Sequence, residues 1–259
     1  MKILVTGYKG FIGSRIYKEL LENKVLYYDD VPFELDGLEI NDPFPKKKYD
    51  RIYHFGGKTL LRESLSDPMD YFNQNVNFTA NLLEKARKDD SAIVFPTSGS
   101  AGLSDNPYSK SKYLAEQWVD MYGKIYGLKG KIYRLYNVYG GKKGAVYNFL
   151  KAALNNEPIN VYNEGTSIRD YVHVDKVVSF IMSFVKDTRM MKIDLGTGIP
   201  TSTNELVRII EDVINYKFKI NYSDLSVQEP KYSVSPQHTV YSNLRDGIKK
   251  VWEELKCAN

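Results

Sequence analysis

An α/β fold on a doubly wound parallel sheet, with a smaller lobe after it, is predicted by three features of the sequence. Short runs rich in Ile, Val and Tyr alternate with amphipathic helical runs over the first half of the chain. The first run, KILVT, ends directly in a turn with three evenly spaced glycines, TGYKGFIG. A later run, KVLYYDD, ends in two aspartates.

The expected strands are KILVT, KVLYY, RIYHF, AIVFP and GKIYRLY. Between them, FIGSRIYKELLEN carries Phe11, Ile12, Ile16 and Leu20 at helical spacing. DYFNQNVNFTANLLEKARK and PYSKSKYLAEQWVDMYGKIYG are longer expected helices. The second has Asn106 as its cap and Pro107 in its first turn. Past residue 140 the alternation loosens. GAVYNFLKAALNNEP, DKVVSFIMSFVKD and STNELVRIIEDVIN are expected helices, and MKIDLG is a strand. Ser202 or Thr203 is the expected cap of the last helix, with Glu205 in its first turn. This rhythm predicts a sheet domain over 1–140, with segments near 167–198 contributing, and a smaller lobe mainly over 141–259.

At 259 residues the chain suits one core or two intimate lobes. Net charge is +4 with both signs interspersed, and Lys46–Lys48 follow Pro43 and Pro45 as a solvated loop. No basic stripe is interleaved with aromatics, so no nucleic-acid partner is expected. Cys257 is the single cysteine, which excludes a disulfide framework within one chain. No apolar stretch approaches the ~20 residues of a membrane span, and no membrane partner is expected. The opening leads straight into a strand, so no leader peptide and a cytoplasmic location are expected.

Gly7, Gly10 and Gly13 follow a strand and open a helix. A side chain at such a turn would block a pyrophosphate, and the helix N-terminus offers unpaired N–H groups to it. The spacing is Gly-x-x-Gly-x-x-Gly rather than the commoner Gly-x-Gly-x-x-Gly. The alternative is a turn that only packs helix on strand. Asp29 lies 22 residues after Gly7 and is followed by Asp30. A carboxylate about 20 residues on holds the adenosine ribose hydroxyls and repels a 2′-phosphate, favouring NAD over NADP. Lys9 is the one nearby cation that argues otherwise, and a strand-end turn role remains the alternative for Asp29.

Tyr108 and Lys112 are four apart on an expected helix and share a face. A phenol ionises near 10; bringing it near 7 needs about 4 kcal/mol of preferential phenolate stabilisation. An ammonium and a nicotinamide cation are agents of that kind. The phenolate then takes a proton from an alcohol while hydride leaves the same carbon. Thr97, at the end of AIVFPTS, is the expected hydroxyl that shares this proton. With 21 tyrosines in the chain, a surface Tyr/Lys pair is the competing reading.

These motifs together resemble the extended short-chain dehydrogenase/reductases, in particular the NAD-dependent sugar-nucleotide epimerase/dehydratase group with its UDP-glucose 4-epimerases. The resemblance rests on TGYKGFIG, YHFGGKTLLRES with NQNVNFTANLLEKAR, PYSKSKYLAEQ, RLYNVYGG, SIRDYVHVDKVV and DLGTG, and so covers most of the chain. It implies a Rossmann-type fold with NAD as cofactor. Phe11 and Ile12 would meet the pyrophosphate through their amides, Asp29 and Asp30 would serve the ribose, and Ile40 would flank adenine. Phe55, Gly56, Gly57, Lys58 and Asn75 would line the cofactor, with Tyr136 near the nicotinamide. Thr97, Tyr108 and Lys112 would be catalytic. Thr97, Ser98, Asn137 and Arg169 would bind a nucleotide-diphosphate sugar, the alternative for Arg169 being an ion pair with Asp170 or Asp175.

The resemblance has departures. Dehydratases of the group carry Thr-Asp-Glu where this chain has Thr97-Ser98-Gly99, which argues against a 4,6-dehydratase. Glu39-Ile40 stands for the group's Asp-Ile, Ala101 for its Tyr, and only Lys231 for an expected phosphate-binding Arg. The implied activity is a UDP-sugar 4-epimerase working through a transient 4-keto sugar. The alternatives are a nucleotide-sugar reductase or dehydrogenase, and a non-catalytic dinucleotide-binding protein. The resemblance also implies a homodimer through helices at 70–88 and 107–127.

Overall fold

Lys2–Thr6 forms a buried strand (β1), and its neighbours define the main sheet. The computed structural model describes residues 1–23, 32–224 and 229–257. β1 is joined by Glu34–Leu38 (β2), Arg51–His54 (β3), Ala92–Ser98 (β4), Gly130–Leu135 (β5) and Met191–Leu195 (β6). Their order is β6-β5-β4-β3-β1-β2. The β1–β2, β1–β3 and β3–β4 pairs are parallel, with Thr6 opposite both Leu38 and His54. The expected fold class is therefore the observed one. The expected strand KVLYY and the aspartates after it, Asp29 and Asp30, lie outside the described residues. The described strands beside β1 are β2 and β3.

Contacts divide the chain into two compact units, Met1–Arg134 with Val178–Ile193, and Leu135–Val177 with Asp194–Asn259. In the first, Gly13–Glu22 (α1), Phe78–Asp89 (α2) and Pro107–Tyr126 (α3) are the long helices before β5. α1 buries Ile16 and Leu20, while Phe11 precedes the helix and stays exposed. Leu82, Leu83 and Ala86 of α2 pack with Ala115 and Val119 of α3 against Leu4, Ile52 and Ile93 of the sheet. Burying one such aliphatic side chain is worth about 1.5–3 kcal/mol.

α3 starts where the sequence places its cap. Asn106 Oδ1 accepts from Ser109 N–H at 2.8 Å, Pro107 fills the first turn, and the helix ends at Gly127 with φ +67°. Between the Pro68–Phe72 helix and α2 the backbone widens into a π-helical segment, Asn73–Asn77. In the second unit, the helices Ala145–Leu154, Thr203–Ile214 and Leu244–Cys257 enclose a core of Phe149, Leu150, Leu206, Ile210, Ile248 and Val251. Ser202 caps Thr203–Ile214 in a reciprocal capping box with Glu205.

Candidate functional site

The glycine turn is built so that no side chain fits. Gly7 has φ +65°, and a Cβ there would lie 2.6 Å from Gly56 N and 2.7 Å from the Phe55 carbonyl. A Cβ on Gly13 would lie 2.2 Å from Gly7 O. Gly10 N–H donates to Gly7 O at 2.9 Å and closes the turn. α1 then begins with no side-chain cap; Ser14 N–H donates to Gly10 O and Arg15 N–H to Ile12 O, both at 3.0 Å. A cradle without Cβ atoms at a helix N-terminus fits a dinucleotide pyrophosphate.

β3 brings Phe55, Gly56, Gly57 and Lys58 to the edge of this cradle. Gly57 has φ +149°, and a Cβ there would come within 2.7 Å of Asn75 Oδ1 and 3.1 Å of Lys112 Nζ. Asn75, buried in the π-helical segment, clamps Lys58 from both sides. Its Oδ1 accepts from Lys58 N–H at 2.8 Å and its Nδ2 donates to Lys58 O at 3.1 Å. Asn75 Nδ2 also reaches Ser111 Oγ on α3 at 2.9 Å. The Lys58 ammonium pairs with Asp70, so Lys58 presents backbone rather than charge. The Ile40 side chain would approach a Cβ on Gly56 within 3.2 Å.

A buried histidine that sequence reasoning left without a role ties these pieces together. Thr79 Oγ1 donates its one proton to Asn75 O at 2.6 Å, so it accepts from His54 Nε2–H at 2.8 Å. His54 Nδ1 is then the acceptor for Thr6 Oγ1–H at 2.7 Å, and Thr6 Oγ1 accepts from Gly56 N–H at 3.1 Å. Burial, and secondarily the Lys112 charge, lower His54 to about 3, so the ring is neutral and its tautomer is set by its neighbours.

On α3, Tyr108 and Lys112 face the end of β4. The two expected hydroxyls there behave differently. Thr97 is buried and its Oγ1 donates to Lys112 O at 3.3 Å. Ser98 Oγ lies 2.8 Å from Ser100 Oγ, and Ser98 is the hydroxyl that acts on the Tyr108 phenol. Thr97, the hydroxyl expected to share the proton with Tyr108, is thus turned to the Lys112 carbonyl. Successive strand residues face opposite ways, so the two hydroxyls cannot share one side of β4.

The electrostatics also differ from expectation. Burial pushes the Tyr108 phenol up, and the Ser98 hydrogen bond opposes that. Desolvation brings the Lys112 ammonium down to about 8. The protein's own groups therefore do not hold Tyr108 as an anion, because burial disfavours the charged form of both members.

Tyr136, Asn137 and Arg169 belong to the second unit. Tyr136 OH donates to Asp194 Oδ1 at 2.9 Å, and Asn137 N–H to Asp170 O at 2.8 Å. Arg169 pairs with Glu229 at 3.4 Å, not with Asp170 or Asp175. Asp170 is occupied otherwise: its carboxylate accepts from Thr197 N–H, Thr197 Oγ1, Gly198 N–H and Ser235 N–H. Lys250 takes Asp175. Asp170 thereby pins the loops on either side of the strand that carries Arg169.

Fold and site define a doubly wound dinucleotide-fold protein with a tyrosine–lysine pair beside the cofactor cradle. The sequence model of the NAD dependent epimerase/dehydratase family matches residues 3–192, and the chain belongs to that family. A putative UDP-glucose 4-epimerase of Methanocaldococcus jannaschii is 29% identical, the match covering 99% of each chain. A Bacillus cereus UDP-glucuronic acid 4-epimerase, solved with UDP-glucuronic acid and NAD, superposes with a TM-score of 0.87 at 20% identity, covering 100% of each chain. A Thermus thermophilus UDP-glucose 4-epimerase, solved with NAD, gives 0.84 at 22% identity, also over 100% of each.

Proposed function

We propose that the protein is an NAD-dependent nucleotide-sugar epimerase, and specifically a UDP-sugar 4-epimerase. The observation that carries this is that α3 brings Lys112 Nζ to Gly57, within 3.1 Å of where a Cβ would lie, with Tyr108 one turn earlier on the same helix. The 4-epimerase relatives are in keeping with it. So is Thr97-Ser98-Gly99, which has no carboxylate to serve an elimination.

Gly7, Gly10, Gly13 and the Phe11 and Ile12 amides are assigned to the pyrophosphate, and Phe55–Lys58 with Asn75 to the inner face of the cofactor. NAD held there would supply the hydride acceptor for the sugar carbon and a positive charge that favours the phenolate. Tyr108 takes the proton of the sugar 4-hydroxyl as the 4-keto sugar forms and gives it back after the sugar turns over. Ser98 shares that proton. Lys112 reaches past Gly57 to hold the nicotinamide ribose and to offset the burial that keeps the phenol protonated. Asn137 and Arg169 of the second unit are assigned to the substrate diphosphate, which must displace Glu229 from Arg169. Tyr136 is assigned to the nicotinamide side.

A homodimer is part of this reading. Leu114, Trp118, Ile125 and Tyr126 on α3, and Met69 and Phe72 beside it in the first unit, are exposed apolar side chains. We place the protein in the cytoplasm, where exposed Cys257 stays reduced. No helix among the described residues is long and apolar enough to cross a membrane. The test is incubation with UDP-glucose, UDP-glucuronate and UDP-N-acetylglucosamine, followed by NMR. Interconversion at C4 without added reductant is expected. Absence of turnover with cofactor bound, or a stoichiometric need for NAD(P)H, removes the epimerase assignment.

A further inference from the structure

We infer that Tyr71 is a positioning residue for the reaction, holding the Tyr108 phenol in place and tying it to the loop after β3; this rests on the catalytic role proposed for Tyr108. The local sequence fixes where Tyr71 stands. Asp67 Oδ1 accepts from Asp70 N–H at 3.1 Å and Pro68 opens the Pro68–Phe72 helix. Tyr71 is 1% exposed on that helix. Its hydroxyl donates to Leu60 O at 2.5 Å and accepts from Leu60 N–H at 3.1 Å. Burial pushes this phenol up, so it keeps the proton it donates and is not itself a base.

Leu60 lies two residues beyond Lys58. The hydroxyl clamp therefore holds the far end of a loop whose middle Asn75 already holds through Lys58. The Lys58 ammonium, paired with Asp70, also stands 5.5 Å over the Tyr71 ring. The same ring meets the Tyr108 ring edge-on, with centroids 6.5 Å apart and planes at 89°. Tyr108 needs this support. It is the second residue of α3, in a first turn held by the Asn106 cap. Its oxygen lies at the end of a long side chain, so a small rotation at Cβ displaces it, and a misplacement of about 1 Å can cost about 10²-fold in rate. A perpendicular ring against the phenol blocks that rotation and keeps water from one side of it.

The experiment compares Tyr71→Phe and Tyr71→Leu in the full-length protein. Phe keeps the ring and removes the Leu60 clamp; Leu removes both. NAD affinity is read by calorimetry on nucleotide-free protein, and rate with whichever of the three UDP-sugars the parent interconverts. Tyr108 ionisation is read without sugar, as the difference in phenolate absorbance between each protein and its Tyr108→Phe partner. Both variants are expected to weaken NAD about tenfold, because both free the loop. Tyr71→Leu is expected to lower kcat about ten- to a hundredfold with little change in the sugar KM. It should also move Tyr108 ionisation to lower pH, because water then reaches the phenol. Tyr71→Phe should recover most of the lost rate and keep the ionisation in place. A merely structural role predicts lower melting temperatures, with kcat per folded molecule and Tyr108 ionisation unmoved in both. That result overturns the inference, as does a Phe variant as slow as the Leu variant. A parent that turns over no UDP-sugar, while Tyr71→Leu still shifts the ionisation, overturns the epimerase reading and supports the contact between Tyr71 and Tyr108.

Discussion

Replacing Lys112 with Met should make the nucleotide-free protein more stable while abolishing turnover. Lys112 is 8% exposed, and desolvation lowers its ammonium from 10.5 to about 8. That drop corresponds to about 3 kcal/mol of destabilisation carried by the protonated form. Below pH 8 both folded and unfolded chains hold the proton, and the full penalty applies. Between pH 8 and 10.5 the folded chain releases the proton while the unfolded chain keeps it, so the parent protein gains stability as pH rises. Above 10.5 the penalty is gone. Met fills a similar volume without charge. The Met variant should therefore exceed the parent in urea unfolding by about 3 kcal/mol at pH 7 and by a clearly smaller margin at pH 9.5. A variant less stable than the parent at pH 7, or a gain that does not shrink with pH, would refute the argument. The trade is the one expected of an active-site ammonium, kept for chemistry at the expense of the fold.

Three further outcomes follow from the site. Tyr108→Phe should lower the epimerisation rate by about 10²- to 10⁴-fold with NAD affinity unchanged by calorimetry. Ser98→Ala removes the bond that opposes burial of the phenol. It should lower kcat and move the basic group's limb of the pH–rate profile upward, whereas Thr97→Ala should cost about 1 kcal/mol of stability and leave that limb in place. Gly13→Ala drives a Cβ into the Gly7 carbonyl; thermal unfolding should show a loss of about 1–3 kcal/mol, and NAD binding should weaken.

The parts of this molecule that were legible in the sequence are those whose physical requirement falls on one residue type. Gly7 and Gly13 are demanded by close backbone approach, and the structure places them against Phe55, Gly56 and one another. Asn106-Pro107 and Ser202-x-x-Glu205 announce helix starts because a short polar side chain must satisfy open N–H groups there. Tyr108 and Lys112 share a face because four residues make about one helical turn. His54 and Asn75 were less accessible. The role of His54 depends on two threonines distant in sequence, Thr6 and Thr79, and Asn75 reaches Lys58 and Ser111 from a π-helical segment that local pattern does not disclose.

The two hydroxyls at the end of β4 turn on geometry that counting along the chain does not carry. Position in sequence locates a residue near the end of a strand; it does not say which face the side chain takes. Thr97 and Ser98 are neighbours with equivalent chemistry, and the pleat sends the Thr97 hydroxyl to the Lys112 carbonyl and the Ser98 hydroxyl to Ser100. A shift of one residue exchanges these partners.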